Sequence, residues 1–319
     1  MKYYLNLREH QKTCPVEKQN ILSKTWYLLK TTFLEFNDDN AIKLSAALSY
    51  YTIFALPPLL IIIITICGVF FGEEAVTGEL YGQINRLVGN DAAIQIQDAI
   101  KNVQLSDSNV FVTIFGVVML LIGASGVFAE IQSSINFIWG LRAKPNKGLK
   151  KFIQNRIMSF SMIVSVGFLM LVSLMVNATL DLLNSRLKIY LEDSTVYLFY
   201  VLNLIIVLAS ITLLFAIIFR TLPDGIIKWK DAFIGAGCTA VLFMIGKFAI
   251  GFYLGNSTIA SVYGAAGSII IILVWVYYSA IILYFGAEFT KVYAKSYGGQ
   301  ISPNEYSVEI KKEIFEIKK

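Results

Sequence analysis

The chain has 319 residues, 56% of them hydrophobic and 15% charged, with a formal net charge of +5 and a mean hydropathy of +0.64. Soluble domains are about 45–50% apolar and about 25% charged, so a soluble globule of this composition would lack the polar groups to cover its surface. Three cysteines, two of them (Cys67 and Cys238) inside apolar runs, exclude a disulfide scaffold, and 22 Phe with 17 Tyr exclude disorder. An all-α polytopic membrane protein remains.

Residues 1–40 read as an N-terminal segment with scattered charge and no uninterrupted apolar region of the signal-peptide kind. Within it, ILSKTWYLLKTTFLEF (21–36) mixes Trp26, Tyr27, Leu28, Leu29, Phe33 and Leu34 with Lys24, Lys30 and Glu35. This pattern predicts an amphipathic helix that either lies in the membrane interface or caps the end of a bundle. A spanning helix needs roughly 20 apolar residues. Six stretches qualify: 44–71, 110–140, 157–183, 196–219, 232–254 and 262–292. They form a membrane domain over 41–295. Pro57 and Pro58 interrupt the first, which predicts one long kinked helix beginning near Asn40. Between the first two spans, 73–109 carries six acids and two bases, and its apolar spacing predicts two short amphipathic helices joined near Gly89-Asn90. Residues 296–319 read as a charged, solvated tail broken by Pro303.

The basic residues set an orientation. Of 27 Lys and Arg, 22 fall in one alternating set of segments, four in the other, and Lys247 lies inside a span. Positive charge stays on the cytoplasmic side, so six spans with both termini inside are expected, in a bacterial inner membrane. The net charge then reflects contact with anionic headgroups and gives no reason to expect a nucleic-acid partner.

Charges at membrane depth cost at least about 2.5–3.5 kcal/mol each and normally face a bundle interior or a watery cavity. Glu130, Asp181, Lys247 and Glu288 stand in or near the ends of apolar runs, and Arg220 ends the fourth. Depth matching pairs Lys247 with Asp181 in the outer half and groups Glu130, Glu288 and Arg220 in the inner half. They read as substrate- or ion-binding groups, as ion pairs that lock the bundle or, for Lys247 and Asp181, as side chains that snorkel to the interface. Small residues cluster on the second, fifth and sixth spans, with Gly123 and Gly126 before Glu130, Gly235 and Gly246 on the fifth, and Gly264 and Gly267 opening the sixth. Such faces allow close helix contact or local unwinding.

The chemistry-bearing motifs of soluble enzymes are missing. The lone histidine is His10, and no Walker loop, nucleophile elbow, zinc cluster or haem spacing occurs. No metal, cofactor or catalytic residue is expected.

The sequence resembles the YihY/BrkB family of bacterial inner-membrane proteins. The likeness rests on NDDNAIKLSAALSYYTIFALPPLL with Asp39, Tyr50 and Pro57, and on FAEIQSSINFIWG with Glu130, Asn136 and Trp139. SVYGAAGSIIIILVWVYYSAIILYFGAEFTKVY contributes Trp275, Tyr278 and Glu288, and RTLPD covers Arg220 to Asp224. It spans roughly 25–295 and implies six helices with cytoplasmic termini. Members have carried a ribonuclease label, which none of these residues supports.

Three functions follow as expectations. The first is a transporter or translocase of a lipid-like or amphipathic substrate, with membrane lipids as its partners. The second is a non-transporting envelope scaffold. The third is an intramembrane lipid-modifying enzyme, which would need Glu130 beside Glu288 or Asp181.

Overall fold

A computed structural model describes residues 21–55, 77–78, 81–82, 94, 97, 126–144, 194–255, 265–297 and 299–310. The described chain is mainly helical: α1 (Ile21–Asp38), helices over 41–55 (α2) and 126–138 (α3), α4 (Ser194–Thr221), α5 (Trp229–Gly255) and α6 (Ala265–Ser296). Four short strands complete it: β1 (Leu141–Ala143), β2 (Gly225–Ile226), β3 (Ser302–Pro303) and β4 (Ser307–Glu309).

Three of these helices are long and apolar enough to cross a membrane, over Leu204–Thr221, Trp229–Ile250 and Ile269–Ser296. They match the fourth, fifth and sixth predicted spans. The predicted third span, the loop 73–109 apart from a few residues, Pro57, Pro58, Gly123, Asp181 and Gly264 lie outside the described residues. Gly267 lies in α6.

Each break between helices has a local cause. Asn40 adopts φ 52°, the left-handed conformation that asparagine tolerates best among residues bearing a Cβ. Its amide bonds back to the Asn37 carbonyl, ending α1, and its own carbonyl accepts from Lys43 and Leu44, starting α2. Gly140 at φ 70° ends α3 in the same way. Pro223 disfavours helix at Leu222 and stops α4.

α5 and α6 pack at close range. A Cβ at Gly235 would run into Thr290, one at Gly286 into Thr239, and one at Gly246 into the Tyr278 hydroxyl. The Thr239 and Thr290 hydroxyls donate to the Gly235 and Gly286 carbonyls of their own helices at 2.7 Å, so neither hydroxyl is left without an acceptor. The small residues of the fifth span therefore serve close contact. Gly126 differs: a Cβ there would meet nothing within 4 Å.

The most deeply buried side chains lie towards one end. Ile135, Ile138, Phe219, Leu222, Ile227 and Tyr284 are all at most 1% exposed. They come from the C-terminal parts of α3 and α4, the α4–α5 connection and the second half of α6.

The tail corrects an expectation. Residues 299–310 are fixed to the bundle. β4 pairs antiparallel with β1 (Leu141↔Glu309, Ala143↔Ser307), and β3 with β2 (Gly225↔Pro303). Ser307 and Tyr306 are buried, and a Cβ at Gly299 would run into the Asp231 carboxylate. Strands this short carry too little periodicity to announce themselves, and Pro303 is compatible with an edge strand.

Candidate functional site

Two polar networks converge on the C-terminal turns of α3. The first centres on Lys291, which is buried in α6 at 5% exposure. Its ammonium lies 2.6 Å from Glu288 Oε1, 2.9 Å from Glu35 Oε2 and 3.1 Å from Asp39 Oδ2. It also donates to the Ile138 carbonyl at 2.8 Å. One side chain thus joins α6 to the end of α1, to the α1–α2 corner and to the C-terminus of α3, where a cation is favoured by the helix dipole.

Local sequence places each group. Glu288 and Lys291 are three apart on one helix and so share a face. Glu35 and Asp39 are four apart across the end of α1, where the Asp39 amide bonds to the Glu35 carbonyl. Apolar contact brings the elements together: Leu28 packs with Phe289 and Val292, and the rings of Phe36 and Phe285 lie 5.7 Å apart. Burial pushes the Glu35 carboxyl up. Lys291, acting by charge and by hydrogen bond, together with Lys295 and Glu288, outweighs this and holds it below the ordinary carboxylate value.

The second network centres on Asp224, 5% exposed in the α4–α5 connection. Asn136 Nδ2 donates to its Oδ2 at 2.9 Å, and Gln132 Nε2 to its Oδ1 at 3.3 Å. The Asp224 amide donates back to Asn136 Oδ1 at 2.8 Å. Its carbonyl accepts from Ser307 Oγ at 2.7 Å and from the Asn304 amide at 3.0 Å. α3, the α4–α5 corner and the tail are therefore tied at one residue. Trp139 links the two networks by donating from Nε1 to the Ala287 carbonyl at 3.0 Å.

The predicted site residues divide. Glu288 enters the first network. Arg220, grouped with Glu130 and Glu288 by depth matching, makes no ion pair with either among the described residues. The Arg220 guanidinium instead lies over the Trp229 ring, 5.8 Å from its centroid. Glu130 is half-buried and accepts a hydrogen bond from Ser134 Oγ at 3.3 Å. Lys247 is exposed on α5, with no hydrogen-bond or ion-pair partner among the described residues. Lys291 lies inside the predicted sixth span, 262–292, and was not among the candidate residues. The Glu288–Lys291 spacing was the signal that could have found it.

No group of three or more metal-ligating side chains occurs among the described residues. The arrangement can brace helices and hold charge out of water, and it contains no nucleophile paired with a base.

Comparison with known proteins places the chain in a membrane-protein family. The family model described as "Virulence factor BrkB" matches residues 32–310, which takes in both networks and the strand-forming tail. A "UPF0761 membrane protein" of Teredinibacter turnerae is 27% identical over 275 residues, 86% of this chain and 62% of that one. One from Saccharophagus degradans is 26% identical over 266 residues (82% and 58%), and one from Tolumonas auensis 30% over 186 (56% of each). The chain spans about three fifths of the length of these relatives. No solved structure matches.

Proposed function

The chain belongs to the BrkB family of membrane proteins, and from that premise we propose that it is a six-span transporter or translocase of an amphipathic, lipid-like substrate. Both termini lie on the cytoplasmic side of a bacterial inner membrane, which puts the Lys291 and Asp224 networks at the inner end of the bundle. Lys247 carries the reading. It stands 18 residues into a 22-residue apolar span, exposed and without a partner among the described residues. A cation near the end of an apolar span faces a polar path or reaches up to the interface, and in either place it would attract an anionic headgroup.

Proteoliposomes with headgroup-labelled lipid test this. Transfer faster than in empty liposomes is expected, and its loss is expected in folded Lys247→Met. Equal transfer with and without the protein would contradict the reading.

The two braced networks favour a second reading, a non-transporting envelope scaffold. α1 presents Trp26, Phe33 and Leu34 outward at 70%, 65% and 54% exposure while its other face packs on α6. It would then lie in the inner interface, combining the two placements the sequence left open. A protein that transfers no lipid yet holds a partner on its cytoplasmic face fits this reading.

A further inference from the structure

The Lys291 network contains more acceptors than donors. Its ammonium has three N–H bonds. Four oxygens lie within 3.1 Å of it, on Glu35, Asp39, Glu288 and Ile138. The bonds to Asp39 and Ile138 are well formed at 3.1 and 2.8 Å. Glu288 is left short. It is 0% exposed, and neither carboxyl oxygen has a well-formed hydrogen bond among the described residues, although Oε1 lies 2.6 Å from the ammonium.

Charge counting points the same way. Three carboxylates share one ammonium around a site sealed on the Glu288 side. Lys295 also acts on Glu35 and is itself exposed. A bare, fully buried carboxylate is among the most costly groups a protein interior can hold. The Glu35 and Glu288 carboxyls are also close neighbours, since they approach the same ammonium at 2.9 and 2.6 Å. Two carboxylates repel, so a hydrogen bond between them requires a proton.

We infer that the Glu35–Glu288 pair is a proton-binding site: one proton seated on Glu288 is donated to Glu35. The proton converts Glu288 from an acceptor without a donor into a donor with an acceptor. It leaves Glu35 and Asp39 as the two anions that Lys291 faces. Because Glu35 belongs to α1 and Glu288 to α6, the proton is part of what docks α1 on the bundle. Losing it would place two like charges across that joint. The groups facing the pair are Lys291 and Lys295 from α6, Asp39 from the α1–α2 corner and the Ile138 carbonyl from α3. The inference stands whether or not a substrate is carried.

Infrared spectroscopy of the full chain in lipid nanodiscs tests it by the C=O stretch of un-ionised carboxyls. At neutral pH the parent should show one such band that is absent from Glu288→Gln, while Glu130→Gln keeps it. Should Glu288→Gln fail to fold, Glu35→Gln decides, since it changes the acceptor: the band must shift or vanish. A parent without the band, or a band untouched by either substitution, overturns the site.

Discussion

Asp224 and Glu288 are both buried carboxylates at the same end of the bundle, yet their surroundings differ in kind. Each carboxylate oxygen of Asp224 has an amide donor, and its own backbone amide and carbonyl are engaged as well. Glu288 has a lysine at 2.6 Å and no well-formed bond to either oxygen among the described residues. A fully donor-supplied anion is a structural fixture, and titrating it would break several bonds at once. An anion short of donors invites a proton. The comparison thus separates a static brace from a site whose charge state can change, within one set of packed helices.

The largest expected effect comes from removing the shared cation. Lys291→Met leaves two or three acids clustered without a counter-charge and takes the cap from the α3 C-terminus. Breaking a buried ion pair from one side costs about 3–5 kcal/mol. Melting in nanodiscs should show destabilisation of that order, and a variant as stable as the parent would mean the cluster is solvated and the comparison void.

A smaller effect is expected from acid. Because the Glu35 carboxyl is held below its ordinary value, near 4.5, its contribution is fully present above that value. It is lost as the pH falls through the lower folded value. Its side chain is 35% exposed, so screening keeps the contribution modest. The melting temperature of the parent should fall more steeply on acidification than that of Glu35→Gln. Parallel curves would remove Glu35 from the ion-paired set.

The sequence made the spanning helices legible because an unbroken apolar run reports directly on lipid or core surroundings. The predicted spans 196–219 and 232–254 sit within α4 (Ser194–Thr221) and α5 (Trp229–Gly255). The third predicted span of this group, 262–292, gives way to α6 at Ala265–Ser296. At the Lys291 end, hydropathy misplaces the boundary because the helix continues through Lys291 and Lys295. Hydropathy treats every lysine as wet, whereas Lys291 is buried by partners as distant in sequence as Asp39, 252 residues away. The tail was illegible for a related reason: its order comes from pairing with 141–143 and 225–226, not from its own pattern. Several residues that carried the family resemblance, Asp39, Asn136, Trp139, Asp224 and Glu288, meet at this end. Their types were visible in the sequence and their convergence was not.

The most direct test sets Asp224→Asn beside Glu288→Gln in one melting experiment on nanodisc-embedded protein at neutral pH. Asparagine at 224 turns an amide group towards existing donors, and a buried polar group without its partner costs about 1–3 kcal/mol. Glutamine at 288 reproduces the shape and donor of a protonated glutamate. Clear destabilisation in Asp224→Asn with a melting temperature near or above the parent's in Glu288→Gln is the predicted result. Equal losses in the two variants would contradict the account, since Glu288 would then be as fully ionised and as fixed as Asp224.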